Sequence, residues 1–77
     1  MTALRYRLVT EQDGIEHVSG TLLRREEITA MINIEQALHE AGGWRVTRYE
    51  GVGLQMEKDG VNRWTWVRAR TPLEDTL

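Results

Sequence analysis

Apolar and polar residues alternate from Leu4 to Val9, with Leu4, Tyr6 and Leu8 on one side and Arg5, Arg7 and Val9 on the other. Side chains on a strand point to opposite faces in turn, so this period of two predicts a half-buried β-strand. Asp13-Gly14 interrupts it, and Asp59-Gly60 interrupts a second β-rich stretch. Asp-Gly between such stretches is the strongest local signal for a tight hairpin, because both central residues of a type I′ turn need positive φ. A two-residue turn at Asp13-Gly14 sets Thr10 opposite His17, Leu8 opposite Ser19, Tyr6 opposite Thr21 and Leu4 opposite Leu23. One at Asp59-Gly60 sets Met56 opposite Arg63, Leu54 opposite Thr65 and Val52 opposite Val67. One face of the second hairpin then carries Val52, Leu54, Met56 and Val67, and the other carries Trp64, Trp66, Arg68 and Arg70.

Between the hairpins the period changes. Ile28, Met31, Ile32, Ile34, Leu38 and Ala41 recur every three or four residues, which predicts an amphipathic helix over Arg24–Ala41. Gly42-Gly43 stops it, since glycine tolerates the left-handed conformation past a helix end. Trp44 to Tyr49 alternates again and leads into the second hairpin. The stretch from Trp44 to Lys58 is too long for one flat strand, and a bend or bulge is expected at Gly51 and Gly53. Pro72 ends the last strand, because proline cannot donate to a ladder. The expectation is one α+β domain over 1–72 with a short acidic tail at 73–77. Its order is ββαββ, one amphipathic helix packed on a four-stranded antiparallel sheet. The helix would cover Leu4, Tyr6, Leu8, Leu23, Val46, Val52, Leu54, Met56 and Val67 with Ile28, Met31, Ile32 and Leu38, leaving the other sheet face bare.

Length sharpens this picture. A chain of 77 residues buries only about 60% of its unfolded surface and needs reinforcement. With no cysteine, disulfides and thiolate metal sites are excluded, and two histidines make a poor zinc site. Self-association is the remedy left. Ten basic and twelve acidic residues give no global pull toward nucleic acid or an anionic membrane. The N-terminus lacks the apolar run of a signal peptide or membrane span, so a cytoplasmic protein is expected.

Catalytic signals are absent. His39-Glu40-Ala41-Gly42-Gly43 starts like the zinc-protease pattern, but Gly43 stands where the second histidine would be. Glu35 and His39, four apart, read as a solvated helix pair. His17 and Ser19 share a strand face, yet Ser19 is the sole serine and no third group orients the pair. Gly51-Val52-Gly53 lacks the Gly-Lys-Ser/Thr of a phosphate loop. Neither a cofactor, a metal nor a small-molecule substrate is inferred, and no enzyme is expected.

What remains is the bare face, where Trp64, Trp66, Arg68, Arg70, Arg5, Arg7 and Tyr49 gather. Trp, Tyr and Arg are the residues enriched at protein hot spots. Aromatics interleaved with Arg also suit stacked bases and phosphates. Alternatively the two tryptophans cover the gaps left by Gly51 and Gly53. The expected function is protein–protein association, with itself as a homodimer or with a larger host protein. Small cysteine-free chains of this kind are common among bacteriophage accessory proteins, an analogy of class. Single-stranded nucleic acid is the alternative partner.

Overall fold

The structure is a computed structural model and describes residues 5–69. Leu4, Arg70, Pro72 and the acidic tail lie outside the described residues. The order is β1 (Tyr6–Gln12), β2 (Ile15–Val18), α1 (Arg25–Ala41), β3 (Arg45–Tyr49), β4 (Gly53–Lys58) and β5 (Val61–Ala69). The strands form one open antiparallel sheet, β2-β1-β5-β4-β3, with the helix against one face. The class is α+β, with five strands rather than the four expected.

The fifth strand comes from Gly51. The stretch after Trp44 does not bend but reverses, with Gly51 at φ +74 and Val52 N donating to Tyr49 O at 3.0 Å. A glycine at positive φ adopts a turn that side-chain-bearing residues resist. The chain therefore folds back, and Tyr49 stands opposite Gly53. Both Asp-Gly turns form as the sequence predicts, with positive φ at Asp13, Gly14, Asp59 and Gly60. Thr10 meets His17, and Met56 and Leu54 meet Arg63 and Thr65.

The first hairpin keeps its expected register only as far as Ser19, which bonds Leu8 through its backbone and its hydroxyl. Beyond it Tyr6 bridges Leu23 rather than Thr21. The Ser19 hydroxyl also donates to Thr21 O at 3.2 Å. Serine side chains compete in this way for backbone partners, and here they let two extra residues loop out.

β1 and β5 pair along their length, from Tyr6 opposite Ala69 to Gln12 opposite Arg63. This joins the two hairpins and leaves β2 and β3 at opposite edges. A 17-residue helix, about 25 Å long, carries the chain from one edge to the other. Its start is set by Glu27, whose carboxylate accepts from Arg24 N at 2.9 Å. This bond satisfies an otherwise orphaned donor. Ile28 and Ile32 pack on Leu8, Leu54 and Met56, ringed by Tyr6, Leu23, Trp44, Val46 and Val67. Three positions expected in this core are outside it. Met31 is exposed, and Leu38 and Val52 are 63% and 59% exposed. The helix turns its Asn33 and Gln36 flank to β3, where Arg48 bonds both. That rotation swings Met31, Ile34 and Leu38 away from the sheet. Val52 is lifted out by the Gly51 turn.

Gly53 is held where no other residue fits. A Cβ there would lie 2.0 Å from Thr65 O and 2.7 Å from Trp66 Cα, and backbone cannot yield as a side-chain tip can. Gly53→Ala is therefore expected to cost about 3 kcal/mol, measured by urea unfolding. Gly14→Asn, at a left-handed turn position with open space around it, should cost far less.

Candidate functional site

The ladder registers decide which side chains share the uncovered face. Leu8 and Thr10 point to the helix, so Arg7, Val9 and Glu11 point away, joined by Glu16 and Val18 of β2. Trp64, Trp66 and Arg68 follow from β5, Gly53, Gln55 and Glu57 from β4, and Arg45, Thr47 and Tyr49 from β3. Arg5 immediately precedes β1 and is half-buried.

Of the sequence-predicted residues, Arg7, Tyr49, Trp64, Trp66 and Arg68 thus fall on this side, Arg5 precedes the ladder, and Arg70 lies outside the described residues. The two tryptophans differ. Trp66 is half-buried, in the row Val18–Val9–Trp66–Gly53–Tyr49. Val9 in that row is fully buried although no helix among the described residues lies above it. The face therefore seals itself along this row, as the gap-covering reading requires. Trp64 is 43% exposed and stacks on Tyr49, itself 49% exposed, with centroids 6.5 Å apart and planes inclined by 23°. Tyr49 reaches Trp64 across β4, over the strand that carries Gly53.

Charges bracket this aromatic row. Arg7 stands directly opposite Arg68 on one side of it, and Glu11 directly opposite Glu16 on the other. Like charges directly opposite in a ladder are destabilising. Two such pairs of opposite sign sit two residues on either side of the Val9–Trp66 row. Arg7 also donates from Nη1 to Ser19 O at 2.8 Å, and Glu11 Oε1 accepts from Gly14 N at 3.2 Å. The Arg7–Arg68 pair is not apparent from the sequence. It needs β1–β5 pairing, a contact between the two ends of the chain.

The helix side holds a second polar cluster. His39 is buried, so it is not half of the solvated pair expected with Glu35. Its Nδ1–H donates to the Glu35 carbonyl at 2.7 Å, and its Nε2 accepts from Arg63 Nη1 at 2.8 Å. Trp44 meets the imidazole edge-on at 5.5 Å, and the Arg63 guanidinium lies 4.4 Å over the Trp44 ring. Arg63 Nε donates to Gln12 Oε1 at 2.9 Å. A groove of about 420 Å³ opens beside this cluster, lined by Thr10, Ile15, His17 and Glu35 among others. In its lining Arg63 is bonded to both Gln12 and His39. Ser19 does not line it, and its hydroxyl is engaged by Leu8 and Thr21. His17 and Ser19 therefore do not form a nucleophile and base. Among the described residues no group of three or more His, Asp or Glu could hold a metal ion, and no helix is long and apolar enough to cross a membrane.

The fold and the site define an α+β domain with one helix-covered sheet face and one open face of aromatic and charged residues. Comparison with family models, curated proteins and solved structures found no match to this chain. The open face is what its own geometry offers.

Two substitutions separate the roles of the tryptophans. Trp66→Ala uncovers Val9 and is expected to cost about 2–3 kcal/mol. Trp64→Ala at its exposed position should cost less than about 1 kcal/mol. Both are read by denaturant unfolding. On the helix side, Arg63→Ala leaves the buried His39 Nε2 without its donor and should cost about 2 kcal/mol in the same assay.

Proposed function

We propose that this chain is a non-enzymatic binding protein that associates with protein, another copy or a larger partner, through its open sheet face. The observation that carries this reading is the stacked, half-exposed Tyr49–Trp64 pair beside Trp66 on a face that no helix among the described residues covers. Large aromatic groups left in water beside arginines are the usual centre of a protein interface, where their burial supplies most of the binding energy. Single-stranded nucleic acid is disfavoured by Glu11 and Glu16, which put a carboxylate row on the same face. Phosphates following the aromatic row would meet that row as well as the arginines.

Hydroxyl-radical footprinting in a nuclease-treated lysate of the producing cells tests the reading. Trp64 and Tyr49 should be protected relative to the purified chain at nanomolar concentration. Equal labelling in both would count against an association surface. Protection that disappears with nuclease would instead identify nucleic acid.

A further inference from the structure

We infer that a cleft between the first turns of α1 and the β3–β4 turn binds a small carboxylate with an apolar body, its charge held by Arg25. The site lies on the helix side of the sheet, away from the aromatic face, and goes beyond the association reading. The cleft measures about 230 Å³, and Ile28, Ile32 and Val67 line it together with Tyr6, Arg25 and Arg48.

The cleft exists because one expected side chain does not fill it. Val67 N donates to Val52 O at 3.0 Å, so the two backbones are paired. The Gly51 turn nevertheless leaves the Val52 side chain 59% exposed, and it takes no part in the lining. Farther along the helix, Arg48 clamps Asn33 and Gln36 to β3. The space ahead of that clamp stays open over Ile28 and Ile32, which are 5% and 7% exposed. An opening floored by core side chains offers a ligand apolar surface without any rearrangement of the sheet.

Charge decides what kind of ligand fits. Two arginines and Glu50 line the cleft. Arg48 is already committed, with Nε 3.0 Å from Glu50 Oε1 and Nη1 bonded to Asn33 and Gln36. The Arg25 guanidinium makes no hydrogen bond, ion pair or ring contact, and the Tyr6 hydroxyl makes no hydrogen bond. The lining therefore holds one uncompensated positive charge beside an apolar floor. A guanidinium takes a carboxylate through two parallel N–H···O bonds, which fits this single cation. A phosphate dianion would set its second charge against Ile28, Ile32 and Val67, where nothing replaces its water. The volume falls below the roughly 300–1,000 Å³ of pockets for drug-sized ligands. From Arg25 to Ile32 the helix rises about 10 Å, room for an aryl or short alkyl acid.

Titration of the isotope-labelled full chain with phenylpropionate, followed by two-dimensional amide NMR, tests this. The signals of Ile28, Thr29, Ile32, Gly51 and Val67 should move together, with a dissociation constant of about 1 mM or tighter. Arg25→Gln should weaken binding about tenfold, and Arg25→Lys, which keeps the charge, less than that. Because the Arg25 guanidinium has no partner in the fold, neither variant should lower the melting temperature. Phenylpropanol, the neutral counterpart, should bind the unmodified chain about tenfold more weakly than the acid and should not distinguish it from Arg25→Gln. Inorganic phosphate should leave the same signals in place up to about 10 mM. Cleft signals that stay fixed under phenylpropionate overturn the inference, as do shifts confined to the aromatic face. So does acid binding that is indifferent to Arg25→Gln, or an alcohol that binds as well as the acid. Phosphate binding as tightly as phenylpropionate overturns the ligand class.

Discussion

A single helix can cover only one face of a sheet, and among the described residues one helix serves five strands. Every main feature of the molecule follows from how that helix is spent. Ile28 and Ile32 cover Leu8, Leu54 and Met56, and the buried apolar core is made there. The opposite face must either be polar enough to stand in water or be covered by something else. It does some of both, since Val9 is sealed beneath its neighbours while Tyr49 and Trp64 remain half in water. Burying a side chain without a second layer requires broad residues beside it, and Trp66 in the same row serves that need.

So small a core leaves the helix dependent on polar attachments. Arg48 ties its middle to β3 through Asn33 and Gln36. His39, Arg63, Trp44 and Gln12 lock its last turns to β5 and β1. Lys58 donates to Gly42 O, placing a cation at the negative end of the helix dipole. The arginine-rich composition thus divides. Arg24, Arg48 and Arg63 position the helix, while Arg7, Arg45 and Arg68 are set on the open face. A bidentate, planar cation suits both uses, since it can bond neutral acceptors and stack on indole in one site.

The open face is ordered along the strands, from arginines through aromatics to glutamates. Arg45 and Glu57, opposite each other on β3 and β4, form the complementary kind of pair that a self-sufficient sheet would favour throughout. The two like-charge pairs depart from that rule on the same face.

The local rules were written in the residues. Asp13-Gly14 and Asp59-Gly60 set two turns and the registers beside them, because only certain residues accept positive φ at both turn positions. Period two and period 3.6 located the strands and the helix, and with them the two faces of each hairpin. Alternation also put Trp64, Trp66 and Arg68 together on one side of the last strand, because it needs no knowledge of distant partners. What the chain could not show by itself lay in contacts between remote segments. Gly51 reads as a bend until β3 has β4 to pair with. Leu38 and Met31 read as core until Arg48 turns the helix. His39 reads as solvated until Arg63 arrives from 24 residues away. Arg7, finally, meets Arg68 only once β1 lies beside β5. Backbone conformation and side-chain alternation are properties of neighbours in sequence, whereas burial and charge opposition depend on which distant strands meet, and packing alone decides that.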